Sequence, residues 1–246
     1  NTTGKRVIMT KEIEDILAAK PNIHLYINGK INIGAKYGDK EAASSDAINK
    51  LYFDDEKVTT DLTIVNQQVA KKKVQNCGII KVESTGELAT GANDIEAEKI
   101  DNDGKITTAN LITKDDIDDD IDGGSIENAG TIEAKNITAY ILNKEAGKIT
   151  ASETVTGNAD NKGYLKAKNI TGTDAITCNR DHCACEPEGP KTHEVTVFNE
   201  GKLIVEQTIT GSACNWGDGE AVTVTGTLRN VGQMQINNVP SFSNKQ

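Results

Sequence analysis

The chain has 246 residues, enough to bury a substantial core in one elongated domain or two small ones. Aromatic residues make up 4% and hydrophobic residues 36%, with 22 Gly and 4 Pro, so its core has to be built from Ile, Val, Leu and Ala. A formal charge of −10, from 27 basic and 37 acidic residues, repels nucleic acid and anionic membrane surfaces as partners, and no apolar run reaches the roughly 18 residues of a transmembrane helix.

The chain does not begin with Met, as expected of a mature, exported form whose signal has been removed. Residues 7–22 read as a short helical cap. Thr10 stands at the N-cap, Glu12 and Glu14 favour the positive end of the helix dipole, Ile13, Ile16 and Leu17 form an apolar stripe, and Pro21 stops the helix. An alternating strand follows from His24 to Ile33, turning at Asn28-Gly29. From Lys36 to Lys73 there are strand-like pieces such as Leu62-Thr-Ile-Val65 and a basic patch, Lys71-Lys-Lys73, without a repeat consensus.

Internal repeats dominate the rest. The pattern Asn-x-Gly-x-apolar occurs at Asn76-Cys-Gly78-Ile-Ile80, Asn102-Asp-Gly104-Lys-Ile106, Asn128-Ala-Gly130-Thr-Ile132, Asn161-Lys-Gly163-Tyr-Leu165, Asn199-Glu-Gly201-Lys-Leu203 and Asn230-Val-Gly232-Gln-Met234. A degenerate copy is Glu145-Ala-Gly147-Lys-Ile149. After the glycine the register continues, as in Ile132-Glu-Ala-Lys-Asn136-Ile-Thr138 and Leu165-Lys-Ala-Lys-Asn169-Ile-Thr171. The repeat unit is therefore strand, Gly corner, strand, polar corner, strand. The amide or carboxylate recurring at Asn110, Asn136, Glu153, Asn169, Gln207 and Asn238 is expected to form a column of stacked polar side chains, and the motif Gly to supply a positive φ.

Motif glycines at 78, 104, 130, 147, 163, 201 and 232 lie 26, 26, 17, 16, 38 and 31 residues apart, too irregular for ankyrin, leucine-rich or tetratricopeptide arrays. Period-2 alternation, as in Thr131 to Ala134, is that of a strand with one buried face. A single-stranded parallel β-helix with loops interrupting its rungs satisfies both observations, each rung lying about 4.8 Å above the last. Small inward residues such as Ala134, Ala151 and Ala167 explain why few aromatics are needed. The expected organisation is one domain over 1–246: the cap at 7–22, rungs over 23–239 with a Cys-rich insertion at 177–193, and a tail at 240–246.

Three segments carry candidate chemistry. In the acidic run from Asp115 to Gly124, Asp118, Asp120, Asp122 and Gly123 match the first half of a calcium loop, but the closing position is Ala129 in place of Glu, so a solvated acidic loop stands beside a weak Ca²⁺ site. No other cofactor is expected. Cys178, Cys183, Cys185 and Cys214, with His182 and His193 among them and Cys77 apart, allow disulfides, free thiols or a metal centre. Trp216, flanked by Asn215 and Asp218 in a Gly-rich stretch, has the composition of a sugar-stacking site, and equally of a ring covering the flank of the solenoid.

The helix, the Lys20-Pro-Asn22 break and the first strand resemble the opening of right-handed parallel β-helices of the pectin-lyase-like group, and the Asn-x-Gly-x-apolar rungs resemble those of bacterial surface and adhesin-like β-helices. The resemblance covers Val7 to Val239 and implies an all-β, right-handed solenoid plugged by a short helix. It raises the question of polysaccharide lyase or glycoside hydrolase activity. The lyase pattern needs calcium-binding carboxylates beside a basic Arg, and only Arg6, Arg180 and Arg229 are present, none with a supporting motif. The hydrolase pattern needs Gly-His-Gly and Arg-x-Lys segments that do not occur. The expected function is a non-catalytic, cell-surface or secreted module that binds a glycan or a host or cell-surface protein, or serves as a rigid scaffold. The alternatives are a β-helix carbohydrate-active enzyme and a structural segment of a larger surface protein.

Overall fold

The computed structural model describes residues 7–20, 29–44, 47, 60–70, 73–76, 78–113, 124–172, 176–178, 193–230, 232–238 and 241–244. The chain divides into two compact units, Asn1–Ala134 and Lys135–Gln246. Each is a stack of right-handed parallel β-helical coils, the coils as the repeat predicts and their hand as the resemblance implies.

In the first unit, Val7–Ile8, Gly29–Ile33, Thr60–Ile64, Ile79–Val82, Lys99–Asn102 and Ser125–Asn128 pair in that order, all parallel. Their register places Ile31, Leu62, Ile80, Ile100 and Ile126 in one inward column. Ile33, Ile64, Val82, Asn102 and Asn128 form the next. All ten are buried, and each fully buried Ile or Leu contributes roughly 1.5–3 kcal/mol. The strand-like piece at Leu62 is thus a core strand. On the second sheet Gln68, Leu88 and Ile106 align, as do Val74, Ile95 and Leu111.

The helix covers Lys11–Ala19 and follows the strand Val7–Ile8. Thr10 is extended and makes no side-chain cap bond, and the helix residue that is buried is Glu14, while Ile16 is half exposed. The reason is a clamp from the segment after the first coil. Glu14 accepts hydrogen bonds from the Ser44 backbone N–H at 2.7 Å and from the Ser44 hydroxyl, and Ala43 N donates to Met9 O at 3.1 Å. A carboxylate supplied with donors is buried at low cost. The expected turn at Asn28-Gly29 involves Asn28, outside the described residues.

In the second unit, Tyr140–Asn143, Ala159–Asn161, Val197–Asn199, Ala213–Asn215, Thr227–Asn230 and Ser241–Asn244 make one parallel sheet. Ser241–Asn244, expected as tail, is its last strand, pairing with Thr227–Asn230. Lys148–Thr156, Tyr164–Thr171, Lys202–Thr210, Asp218–Val224 and Gln233–Asn238 make the other sheet. The anticipated polar corner lies inside these long strands as a register shift, between Ala151 and Thr154 or Val205 and Thr208, so the coil bends there without breaking.

The amide–amide chain runs through a different column from the one expected. It is the motif Asn, facing inward, that stacks: Asn102 donates from Nδ2 to Asn128 Oδ1 at 2.7 Å in the first unit. In the second unit Asn143 donates to Asn161 at 2.7 Å, Asn161 to Asn199 at 2.6 Å, Asn199 to Asn215 at 2.6 Å and Asn215 to Asn230 at 2.8 Å. Each amide also holds a corner carbonyl, as Asn161 Nδ2 does with Gly163 O at 3.2 Å and, one coil on, with Lys202 O at 3.1 Å. The polar corner also bonds from coil to coil, through other partners, as Thr154 N–H does to Asn136 Oδ1 at 3.3 Å and Asn110 Nδ2 to Asp94 Oδ1 at 2.6 Å.

This register revises the repeat. Ile80 pairs with Ile100, so Asn76-Cys-Gly78-Ile-Ile80 lies outside the Asn column. Asn215-Trp-Gly217-Asp-Gly219 is a true copy, hidden because Gly219 stands where Leu203 and Met234 stand in its neighbours. The column residue near the degenerate copy is Asn143, not Glu145. The 31-residue gap therefore resolves into steps of 16 and 15, and the 38-residue step holds the Cys-rich insertion.

The motif glycines do not serve positive φ, which is found instead at Gly34, Gly38, Gly91, Gly157 and Gly211. They are needed because the corners stack too closely for a Cβ. One built on Gly201 would lie 2.1 Å from Gly163 O, and one on Gly217 would lie 2.1 Å from Gly201 O.

Candidate functional site

Two outward features of the second unit gather the candidate residues. The first is formed by the insertion. Ile176–Cys178 and His193–Val195 pair antiparallel, with Ile176 opposite Val195 and Cys178 opposite His193. Ile176 and Val195 pack against Phe198 and Cys214, with Tyr140 and Trp216 partly buried beside them. In the three residues that end at each column Asn, the middle one faces outward. It is polar at Asp101 and Glu127, but apolar at Phe198 and Cys214, where the hairpin covers it. Val197-Phe-Asn199 and Ala213-Cys-Asn215 carry that apolar signal in the sequence, as Ile141-Leu-Asn143 does earlier in the same column.

Trp216 is the corner residue after Asn215, and its indole N–H donates to Cys214 Sγ at 3.3 Å. Its partly buried ring packs against the cluster of Ile176, Val195, Phe198 and Cys214. Asn215 is 1% exposed and its Nδ2 donates to Gly217 O at 2.9 Å, Asn230 Oδ1 at 2.8 Å and Gln233 O at 3.0 Å, so its amide belongs to the inward column.

Tyr140, beside this cluster, has its pKa raised above 10.0, first by burial and then by the Asp160 carboxylate. The unfolded chain releases that proton near the ordinary value while the folded protein retains it to higher pH. This group therefore leaves stability unchanged below about pH 10 and lowers it as pH rises beyond. In Asp160→Asn, tyrosinate absorbance, assigned against Tyr140→Phe, is expected to show Tyr140 ionising at lower pH than in the parent, still above its ordinary value because burial remains. An unchanged titration would show that the Asp160 charge is not felt.

The second feature is an open depression of about 220 Å³ on the other sheet. Two outward columns line it: Lys202, Asp218 and Gln233, then Ile204, Glu220 and Gln235. Asp218 is thus separated from its sequence neighbours Asn215 and Trp216, because the Gly217 corner turns the chain from one sheet to the other. Glu220, Gln233 and Gln235 were not singled out from sequence; they become visible once Asn199, Asn215 and Asn230 are aligned, since residues three and five places later then fall into columns.

Asp118, Asp120, Asp122, Cys77, Cys183, Cys185, His182 and Arg180 lie outside the described residues. Among the described residues no three His, Cys, Asp or Glu side chains converge as a metal site, and no helix is long and apolar enough to cross a membrane. No protein-family model, curated protein or solved structure matches the chain.

Proposed function

We propose that the protein is a non-catalytic, exported, adhesin-like module of a bacterial surface, in which a pectin-lyase-like β-helical scaffold holds a binding face for a glycan or a cell-surface protein. The observation that carries this reading is the depression lined by Asp218, Glu220 and their column neighbours, set on a backbone tied coil to coil by the Asn column. Cross-coil ion pairs stiffen the same outer faces, as between Lys166 and Glu206 at 2.7 Å and Lys168 and Glu153 at 3.0 Å. Exposed pairs of this kind are worth at most about 1 kcal/mol each and matter as a network. Binding groups on a stiff backbone lose little conformational freedom on engaging a ligand.

A second reading, a carbohydrate-active enzyme, draws on two carboxylates, Asp218 and Glu220, on one outward strand face. The two are separated by incubating the protein with polyuronates and neutral glycans. The expected result is retention on a glycan with no release of reducing or unsaturated sugars. Sugar release would overturn the non-catalytic reading, and retention on neither glycans nor cell surfaces would leave a rigid spacer.

A further inference from the structure

We infer that the depression around Asp218 and Glu220 takes an uncharged or amine-bearing glycan and rejects polyuronates, an inference that rests on the binding-module reading above. The two outward columns carry two carboxylates, two amides, one ammonium and one aliphatic side chain, Asp218, Glu220, Gln233, Gln235, Lys202 and Ile204, with Leu203, Gly219 and Met234 lining the depression between them. Carboxylates and amide oxygens accept hydrogen bonds from hydroxyls, amide N–H groups and Lys202 donate to ring and hydroxyl oxygens, and Ile204 offers a C–H surface to a sugar face. Neighbours across strands lie about 4.8 Å apart and alternate residues along a strand about 6.6 Å apart, a grid on the scale of one pyranose and its linkage.

Charge sets the class. The neighbouring cation in the Ile204 column, Lys166, is paired with Glu206 at 2.7 Å. Lys202 is the one cation in the lining, and Lys166, which also feels the Glu220 charge, is balanced by Glu206, so the site is net negative on a chain of charge −10. A polyuronate brings one more carboxylate with every sugar and is repelled, whereas an amino sugar places its ammonium against Asp218 or Glu220.

The test is calorimetric titration of the full chain with neutral gluco- and galacto-oligosaccharides, chitosan oligosaccharides and oligogalacturonates, repeated on the double variant Glu220→Ala/Gln235→Ala. Both residues are exposed, so the variant is expected to melt where the parent does, which a thermal scan verifies. The expected result is binding of a neutral or amine-bearing oligosaccharide, weakened by about tenfold or more in the variant. Binding that the variant leaves intact would overturn the site while the module reading stands. Preference for oligogalacturonate would overturn the ligand class, and no response to any glycan would remove glycan binding from both readings.

Discussion

Asn199→Leu is expected to destabilise the second unit by about 3–5 kcal/mol, because its amide makes four bonds that no apolar side chain can replace. Nδ2 shares its two hydrogens among Asn215 Oδ1 at 2.6 Å, Gly201 O at 3.2 Å and Asp218 O at 3.2 Å, while Oδ1 accepts from Asn161 at 2.6 Å. The side chain is fully buried, so water cannot take over these partners. Shape and polarity make opposite predictions here. Leu has the branched outline of Asn, though it is larger, and a purely hydrophobic column would accept it, as Ile33, Ile64 and Val82 fill that column in the first unit. The difference is that the corner carbonyls around Asn199 are already committed to the amide. Urea unfolding measures the effect, with Asn169→Ala, at the partly exposed polar corner, expected within about 1 kcal/mol of the parent. An Asn199→Leu variant as stable as that control would mean that the column is decoration.

The second large effect concerns clearance at the corners. Gly217→Ala places a Cβ 2.1 Å from Gly201 O, 2.5 Å from Glu200 O and 2.6 Å from the Glu200 carbonyl carbon, all backbone atoms of the preceding coil. Relief requires the corners to move apart, which stretches the Asp218 N–H to Gly201 O bond, now 2.9 Å, and the amide column beside it. A loss of about 3 kcal/mol or more is expected, on the scale of overpacking combined with a broken buried hydrogen bond. Gly38→Ala is the informative comparison. Gly38 has φ +58 and nothing within 4 Å of an added Cβ, so only the left-handed backbone penalises Ala, by about 1–2 kcal/mol. If the two substitutions cost the same in urea unfolding, backbone conformation rather than stacking distance explains the motif glycines.

These contrasts show which parts of the architecture can be read from residues alone. Period-2 alternation and the recurring Asn-x-Gly identify strands and corners, because one buried face and one tight bend each leave a mark in a single coil. Asn110, Asn136 and Asn169 recur as faithfully as Asn161 and Asn199, yet only the structure shows which amides face inward, since side-chain direction reverses with a shift of one residue. Asn76 imitates the motif at the wrong place in the coil, and Gly219 conceals a genuine one. The apolar outward residues Phe198 and Cys214 make sense only with the hairpin beside them, and its strands Ile176–Cys178 and His193–Val195 are separated in the sequence by the Cys-rich insertion. The depression is least visible of all: no motif spans Lys202, Asp218 and Gln233, which become neighbours only through the register of three coils.

The amide column also has a direction. From Asn143 through Asn161, Asn199 and Asn215 to Asn230, every Nδ2 points to the later coil and every bonded Oδ1 to the earlier one. The side-chain dipoles therefore add head to tail, as peptide dipoles do along a helix, and polarise one another through a dry interior. An amide added at either end of the row meets a donor or an acceptor already sharpened by the others, so the gain from adding a coil grows with the length of the row.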